Sequence, residues 1–400
     1  MNIAVAQSGG PTCAINASLV GVFKEALKTP AIDAVFGSIN GIEGMIKDEL
    51  IDLKMVIRSN EDMELLRQTP STVLGSCRYK LPAADVDDEV YRKIQANLEK
   101  HRIQAFFYIG GNDSMDTVDK LSVYLKSVGS DIRVIGIPKT IDNDLPVTDH
   151  TPGFGSAAKY VAATVQEIIR DSSVYSVDSV TIIEIMGRHA GWLTASTCVL
   201  RANDEIAPHL IYLPECDLDA DKFLEDVRIM QAKHKAVIVA VSEGVRIPEE
   251  NRKDIVVDNF GHEYLSGIGK TLEQLVKDRI GCKVRSIELN VMQRCSSHIC
   301  SKTDIDEAEL IGSEGVKRAL AGETGKMVYF KRLSDVPYVI TVETTDASQV
   351  ANKEKFFPKK WVNHAQNDIM PEAVKYFLPL IQGEVKIAMK NGMPVHFKLK

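Results

Sequence analysis

The densest chemistry in the chain lies in seven residues, Pro138 to Asp144, reading PKTIDND. Asp142 and Asp144 are separated by one residue in a segment that reads as a loop. One carboxylate can take a proton from a hydroxyl while the other orients it or faces a metal. Lys139 stands just before them and supplies a cation. A base, a cation and a nearby glycine turn suit phosphoryl transfer, which depends chiefly on positioning and charge neutralisation. The same residues suit an Asx-turn loop bearing solvated charges, and by themselves they do not choose between the two. A second stretch, Tyr108 to Asp116 (YIGGNDSMD), raises a problem. A glycine pair that follows an apolar run and opens onto a helix gathers backbone N–H groups around an anion. Asp113 sits at the centre of that turn, where its charge repels a phosphate chain. Either the turn binds no phosphate, or the carboxylate stands where part of a larger phosphate ligand would otherwise lie.

Both segments need a frame that brings them together. Short β-branched runs alternate with helical patterns: NIAVAQ, then a helix from about Asn16; IQAFFYIG, then SMDTVDKLSVYLKSV; then IRVIGIP. This is the βαβ signature of a parallel, doubly wound sheet. A second α/β series follows, with a helix at GSAAKYVAATVQEIIRDSS, the strand SVTIIEIM, a helix from AGWLTASTCVLR, and the strands LIYLP and AVIVAVSEG. Three turns, QSGGPTCAIN, GGNDS and PKTIDND, follow predicted strands, and ligands of open α/β sheets bind at such strand ends. Any one of them reads as a tight βα turn; three together favour one shared crevice. The polar stretch 248–267 is expected to be a surface excursion before the helix IGKTLEQLVKDRIG. The pattern divides the chain at about 1–150 and 151–300, with 301–400 packing back on both.

Four hundred residues at 44% hydrophobic and 26% charged describe a folded enzyme of two or three domain-sized units. A net charge of -7 speaks against a general nucleic-acid or anionic-membrane binder, so any phosphate site must be built residue by residue. The FFPKKW run near the C-terminus does not outweigh that. The seven cysteines are odd in number and scattered, which implies a reducing, cytoplasmic setting. RCSSHIC has poor spacing for structural zinc. The opening MNIAVAQSGG enters a strand directly, and no stretch approaches membrane-spanning length.

Taken in order and spacing, QSGGPTCAIN, STVLGSCRYK, GGNDS, PKTIDND, TPGFGSA, IIEIMGRHAGWL, SEG and MQR resemble the phosphofructokinase family, most closely its pyrophosphate-dependent members. The resemblance runs from residue 1 to about 310. It implies an α/β fold of two Rossmann-like doubly wound domains with the active site in the cleft between them. The donor would bind to 1–150 and the sugar phosphate to 151–300. It also implies Mg²⁺-dependent, reversible transfer from pyrophosphate to the 1-hydroxyl of fructose 6-phosphate, giving fructose 1,6-bisphosphate and phosphate. Asp142 then matches the general base, with Thr140 against the transferring group, Asp144 supporting the catalytic arrangement, and Ile141 in the same substrate-binding segment. Gly10, Gly110, Gly111, Asn112, Ser114 and Arg78 match the donor site. Met186, Gly187 and Arg188 match the sugar-phosphate segment, and Glu243 the carboxylate that receives sugar hydroxyls. Val291, Met292, Gln293 and Arg294, with Arg285, fall where the distal phosphate is held.

The resemblance also answers the problem of Asp113. ATP-using relatives carry glycine there, because the inner phosphate of a nucleotide needs the space. Pyrophosphate has no inner phosphate, so a carboxylate can fill the volume and repel nucleotide. Lys139 likewise replaces a glycine and is placed to neutralise the leaving phosphate. Three positions depart from the pattern. Asn112 stands at the family's magnesium-contacting aspartate, which leaves Asn112 and Asp113 as the expected metal ligands. Val291 replaces a His or Tyr, and Ser179 replaces an arginine that crosses a subunit interface. Those two losses open the alternative of sedoheptulose 7-phosphate as acceptor. An ATP-dependent kinase is opposed by Asp113 and Lys139, and a non-catalytic regulatory subunit by the intact Asp142 and Lys139. A homodimer or homotetramer is expected, since the family builds its sites close to subunit contacts.

Overall fold

Strand β1 (Asn2–Gln7) divides its side chains between two cores. Ile3 and Val5 join Leu19, Phe23, Phe107 and Ile109, while Ala4 and Ala6 join Phe106, Tyr108 and Val134. A strand buried on both faces belongs inside a sheet covered by helices on either side. β1 pairs in parallel with β2 (Val35–Ser38), whose far edge is closed by a short antiparallel β3 (Leu50–Asp52). On its other side β1 pairs with β4 (Ile103–Gly110), and β4 with β5 (Arg133–Pro138), both in parallel. The sheet therefore builds outward in opposite directions from β1 and β4. A crevice opens at the carboxyl ends of strands at such a switch point.

The second sheet is parallel throughout. It comprises β6 (Ser179–Ile185), β7 (Leu210–Tyr212), β8 (Ala236–Ser242) and β9 (Lys283–Glu288), in the order β7-β8-β6-β9. Ile183 and Ile185 face one core, Val180 and Ile182 the other. The helix Phe154–Ser172 leads into this sheet. The computed structural model describes residues 1–247 and 267–399, so the polar stretch 248–267, except its last glycine, lies outside the described residues.

The last hundred residues serve both sheets. The hairpin β10 (Lys326–Asp335) and β11 (Tyr338–Asp346) extends the first sheet, through Lys326 opposite Ile135 and Met327 opposite Gly136. The helix Lys302–Leu320 packs along the helix Ile15–Lys28. A Cβ on Gly21 would stand 2.0 Å from the Glu309 carbonyl oxygen, so only glycine allows the helices this close. Phe357, Ile369, Tyr376 and Phe377 enter the core of the second sheet, Phe357 against the rings of Trp192 and Trp361. The FFPKKW run is thus partly core. Two Rossmann-like doubly wound units, one per sheet, make up this α/β fold.

Candidate active site

β1 ends at Gln7 and the chain turns through Ser8, Gly9 and Gly10. Gly9 has φ +77°, and a Cβ there would lie 3.1 Å from Lys139 Nζ. The loop before Arg78 braces the turn. Ser76 Oγ donates to Gly9 O at 2.7 Å and Ser8 Oγ to Cys77 O at 3.2 Å. Lys139 follows β5 with its side chain buried; its Nζ donates to Gly10 O at 2.7 Å and its backbone N to Gly110 O at 2.9 Å. One residue thereby joins the turns after β1, β4 and β5. Burial pulls its ammonium down to about 8; Asp142 and Asp144 oppose that pull, and the positive charges of Arg294 and Arg78 add to it.

The loop after Lys139 is closed on itself. Asp142 N donates to Thr140 Oγ1 at 3.0 Å, and that hydroxyl lies 3.4 Å from Asp142 Oδ2. Burial raises the Asp142 carboxyl above its ordinary value, against the pull of Lys139, Arg188 and Arg294. Asp144 is pushed up to about 7, first by burial and then by the charge of Asp142. Ile141, just before Asp142, is buried in the core of the second unit. The loop therefore leaves a strand of the first sheet and anchors in the second domain.

From the second sheet, the ends of β6 and β8 meet the 3-10 turn Asn290–Arg294 that follows β9. Gly187 N approaches Glu243 Oε1 at 3.4 Å, Ser242 Oγ donates to Gly187 O at 2.6 Å, and Met186 N donates to the buried Gln293 Oε1 at 3.2 Å. Burial drives Glu243 up to about 7, with Asp142 adding and Arg188 opposing. Arg294 stands over the turn that follows β1, since a Cβ on Gly10 would lie 3.6 Å from its NH1. Val291 and Met292 are exposed. Arg285 is elsewhere: it sits opposite Thr181, about 13 Å back along the strand from Ile185, with NH1 3.4 Å from Asp171 Oδ2.

The helix Asn112–Ser127 opens directly from Gly111. Ser114 is buried under Gly110, where an added Cβ would come within 1.9 Å of its Oγ. Asp113, half-exposed in the first turn, pairs through Oδ1 with Lys80 Nζ at 2.9 Å. Asn112 Oδ1 accepts from Asn352 N at 2.5 Å and its Nδ2 donates to Lys353 O at 2.6 Å. An amide oxygen has two lone pairs, so one remains for a cation. Among the described residues no group of three His, Cys, Asp or Glu side chains is placed to hold a metal. Asn112 and Asp113 therefore fit Mg²⁺ only in company with phosphate oxygens, as that ion commonly binds. Sequence reasoning missed Lys80, two residues beyond Arg78 in a quoted motif. It also missed the segment 352–357, which carries no motif.

Over residues 2–316 the chain matches the protein-family model described as phosphofructokinase. It is 38% identical over 403 residues to the pyrophosphate–fructose 6-phosphate 1-phosphotransferase of Halomonas elongata, covering 100% of this chain and 96% of that protein. It is 39% identical over 407 residues to the protein of the same name from Xanthomonas campestris pv. campestris, with the same coverage. A crystal structure of the pyrophosphate-dependent phosphofructokinase of Marinobacter aquaeolei matches with a TM-score of 0.89 and 36% identity, over 100% of this chain and 96% of that one.

Proposed function

The chain belongs to the phosphofructokinase family, and from that we propose that it transfers a phosphoryl group from pyrophosphate to the 1-hydroxyl of fructose 6-phosphate. The reaction is reversible and yields fructose 1,6-bisphosphate and phosphate. The observation that carries the donor assignment is the charge arrangement at two turns: the Lys139 ammonium on the Gly10 carbonyl, and a carboxylate, Asp113, in the first turn of the donor helix. A nucleotide would bring its inner phosphate against that carboxylate.

Asp142 takes the proton of the attacking hydroxyl, and its raised affinity for protons suits it to that task at neutral pH. Lys139 and Arg294 neutralise the phosphoryl oxygens, while Glu243 and the Met186–Arg188 segment hold the sugar. Asn112 and Asp113, together with donor phosphate oxygens, would hold Mg²⁺, which would supply further neutralisation of phosphate charge. Arg285 and the exposed Val291 leave the distal phosphate with fewer partners inside one chain. That favours both a homo-oligomer and tolerance of a longer ketose phosphate such as sedoheptulose 7-phosphate. All seven cysteines are free, which supports a cytoplasmic setting.

A coupled assay with fructose 6-phosphate and Mg²⁺, comparing pyrophosphate with ATP, tests the reading. Activity with pyrophosphate alone is expected, and activity with ATP alone would overturn it. Repeating the assay with sedoheptulose 7-phosphate decides the acceptor.

A further inference from the structure

Residues Asn352 to Phe357 form a strap that is bonded to both sides of the crevice. On the donor side, Asn352 N and Lys353 O bracket the Asn112 amide, and Asn352 Nδ2 donates to Asp116 Oδ1 at 2.9 Å. On the sugar side, Glu354 Oε1 lies 2.8 Å from His189 Nδ1, and Lys355 O accepts from Trp192 Nε1 at 3.0 Å. Phe357 N donates to Glu215 Oε1 at 2.7 Å, and the same carboxylate accepts from Gly191 N. Between the two sides, Lys355 N donates to Asp144 O at 2.6 Å.

The Lys355 side chain turns inward beneath the aspartate loop. Its Nζ donates to Asp149 O at 2.8 Å, Thr148 O at 3.0 Å and Asn143 Oδ1 at 3.4 Å. Three acceptors use all three ammonium protons. The group lies 4.9 Å from the centre of the Trp192 ring. Two of its acceptors are carbonyls just beyond the loop and the third is the residue between Asp142 and Asp144. A buried charge with every donor satisfied this way fixes the backbone that supplies the acceptors.

We propose that Lys355 is a positioning residue: seated in the strap, it holds the Asp142–Asp144 loop in the register that phosphoryl transfer requires and ties that loop to both domains. It touches no substrate. The proposal rests on the reading of Asp142 as the proton acceptor.

The test uses the full chain with Lys355→Met, followed by steady-state kinetics and amide hydrogen exchange of residues 140–149. Loss of alignment is expected to lower kcat on the order of 10²-fold while KM for both substrates changes little, and exchange in the loop is expected to rise. A purely structural lysine would lower the melting temperature and leave kcat of the folded enzyme alone. Folded Lys355→Met with wild-type kcat and wild-type exchange would overturn the proposal. Where that variant does not fold, Trp192→Phe, which removes one bond from strap to second domain, is expected to lower kcat less but in the same direction. Unchanged kcat and exchange there would also overturn it. Inactivity of the wild type with pyrophosphate would sink the functional reading instead, and the exchange measurement would still decide for or against the positioning role.

Discussion

Lys139 Nζ donates to the Gly10 carbonyl across 2.7 Å, which places the one buried cation of the aspartate loop against the turn that follows β1. Before substrate arrives, that carbonyl and the two nearby aspartates are its compensation. A phosphate oxygen entering the crevice supplies a stronger partner, so binding raises the proton affinity that burial has lowered.

Activity should accordingly pass through a narrow maximum. The Asp142–Asp144 pair must lose a proton, with Asp144 near 7, and Lys139 must keep one, near 8 in the free enzyme. The kcat/KM profile is expected to fall on both sides of that window, with the alkaline limb of kcat displaced upward by bound pyrophosphate. Lys139→Arg, which cannot deprotonate, should flatten the alkaline limb; a limb unchanged in that variant would rule Lys139 out as its source. Stability has its own signs. Lys139 is lower in the folded chain than its ordinary 10.5, so the unfolded chain binds more protons from about 8 to 10.5 and this group makes stability rise with pH there. Asp144 is raised from 3.8 to about 7, so its contribution to stability is present at low pH and is lost as pH climbs through that interval. Thermal melts of wild type against Asp144→Asn should differ in slope between those limits.

Replacing both Asp113 and Lys139 by glycine should weaken pyrophosphate use and admit ATP. Asp113 is half-exposed, so solvent screens its charge and its repulsion of a phosphate is worth only a few-fold, about fivefold, in affinity. Asp113 also pairs with Lys80, so part of its charge is already answered at the rim. Lys80→Met should sharpen rejection of ATP rather than relax it. Inhibition constants for ATP against pyrophosphate in the three backgrounds measure this, and identical constants would remove Asp113 from the account of donor choice.

Asn112→Asp separates two uses of one side chain. A carboxylate binds Mg²⁺ better than an amide, yet it cannot donate to Lys353 O and sets a charge against that carbonyl. The expected outcome is half-saturation at lower Mg²⁺ together with a kcat about tenfold down, the size of one lost, well-placed hydrogen bond. An unimpaired kcat would mean that the bracket to the strap does not matter for turnover.

Gly187 has φ +142°, and a Cβ on it would lie 2.7 Å from both Ala190 O and Ser242 Oγ. Gly187→Ala should therefore cost about 1–3 kcal/mol of stability and raise KM for the sugar phosphate well above any change in KM for pyrophosphate. Denaturant midpoints and the two KM values check it; equal shifts in both KM values would count against a sugar-side role for this turn.

What was legible in the chain was its local punctuation. QSGGPTCAIN, GGNDS and PKTIDND announce strand ends with glycine and charge, and parallel βα periodicity brings such ends to one side of a sheet. Arg294 and Glu243 were reachable through the resemblance, and both face the crevice. The hairpin β10–β11 was not, because its partner β5 lies about 190 residues earlier and its own alternation says nothing of which sheet it joins. Lys355 was hidden for a different reason: half of the strap's bonds use backbone atoms, which leave no trace in residue type, and the acceptors of its ammonium lie about 200 residues earlier in the chain. Arg285 shows the converse limit. The resemblance offers it as a contact to the distal phosphate without a motif of its own, while its place in β9 puts it beside Asp171.

The addition of β10 to the first sheet bears on how the molecule is synthesised. β5, which leads into Lys139 and Asp142, is an open edge until residues 326–327 arrive to pair with Ile135 and Gly136. A nascent chain with its first three hundred residues clear of the ribosome already holds every turn of the crevice, yet it exposes a hydrophobic strand edge beside them. Such an edge is a template for pairing with another chain. The interval before the last hundred residues emerge is therefore when this protein most needs a chaperone, and a truncation at the close of the helix Lys302–Leu320 should aggregate although it keeps every residue proposed to touch substrate and, of the site, loses only the strap that positions them.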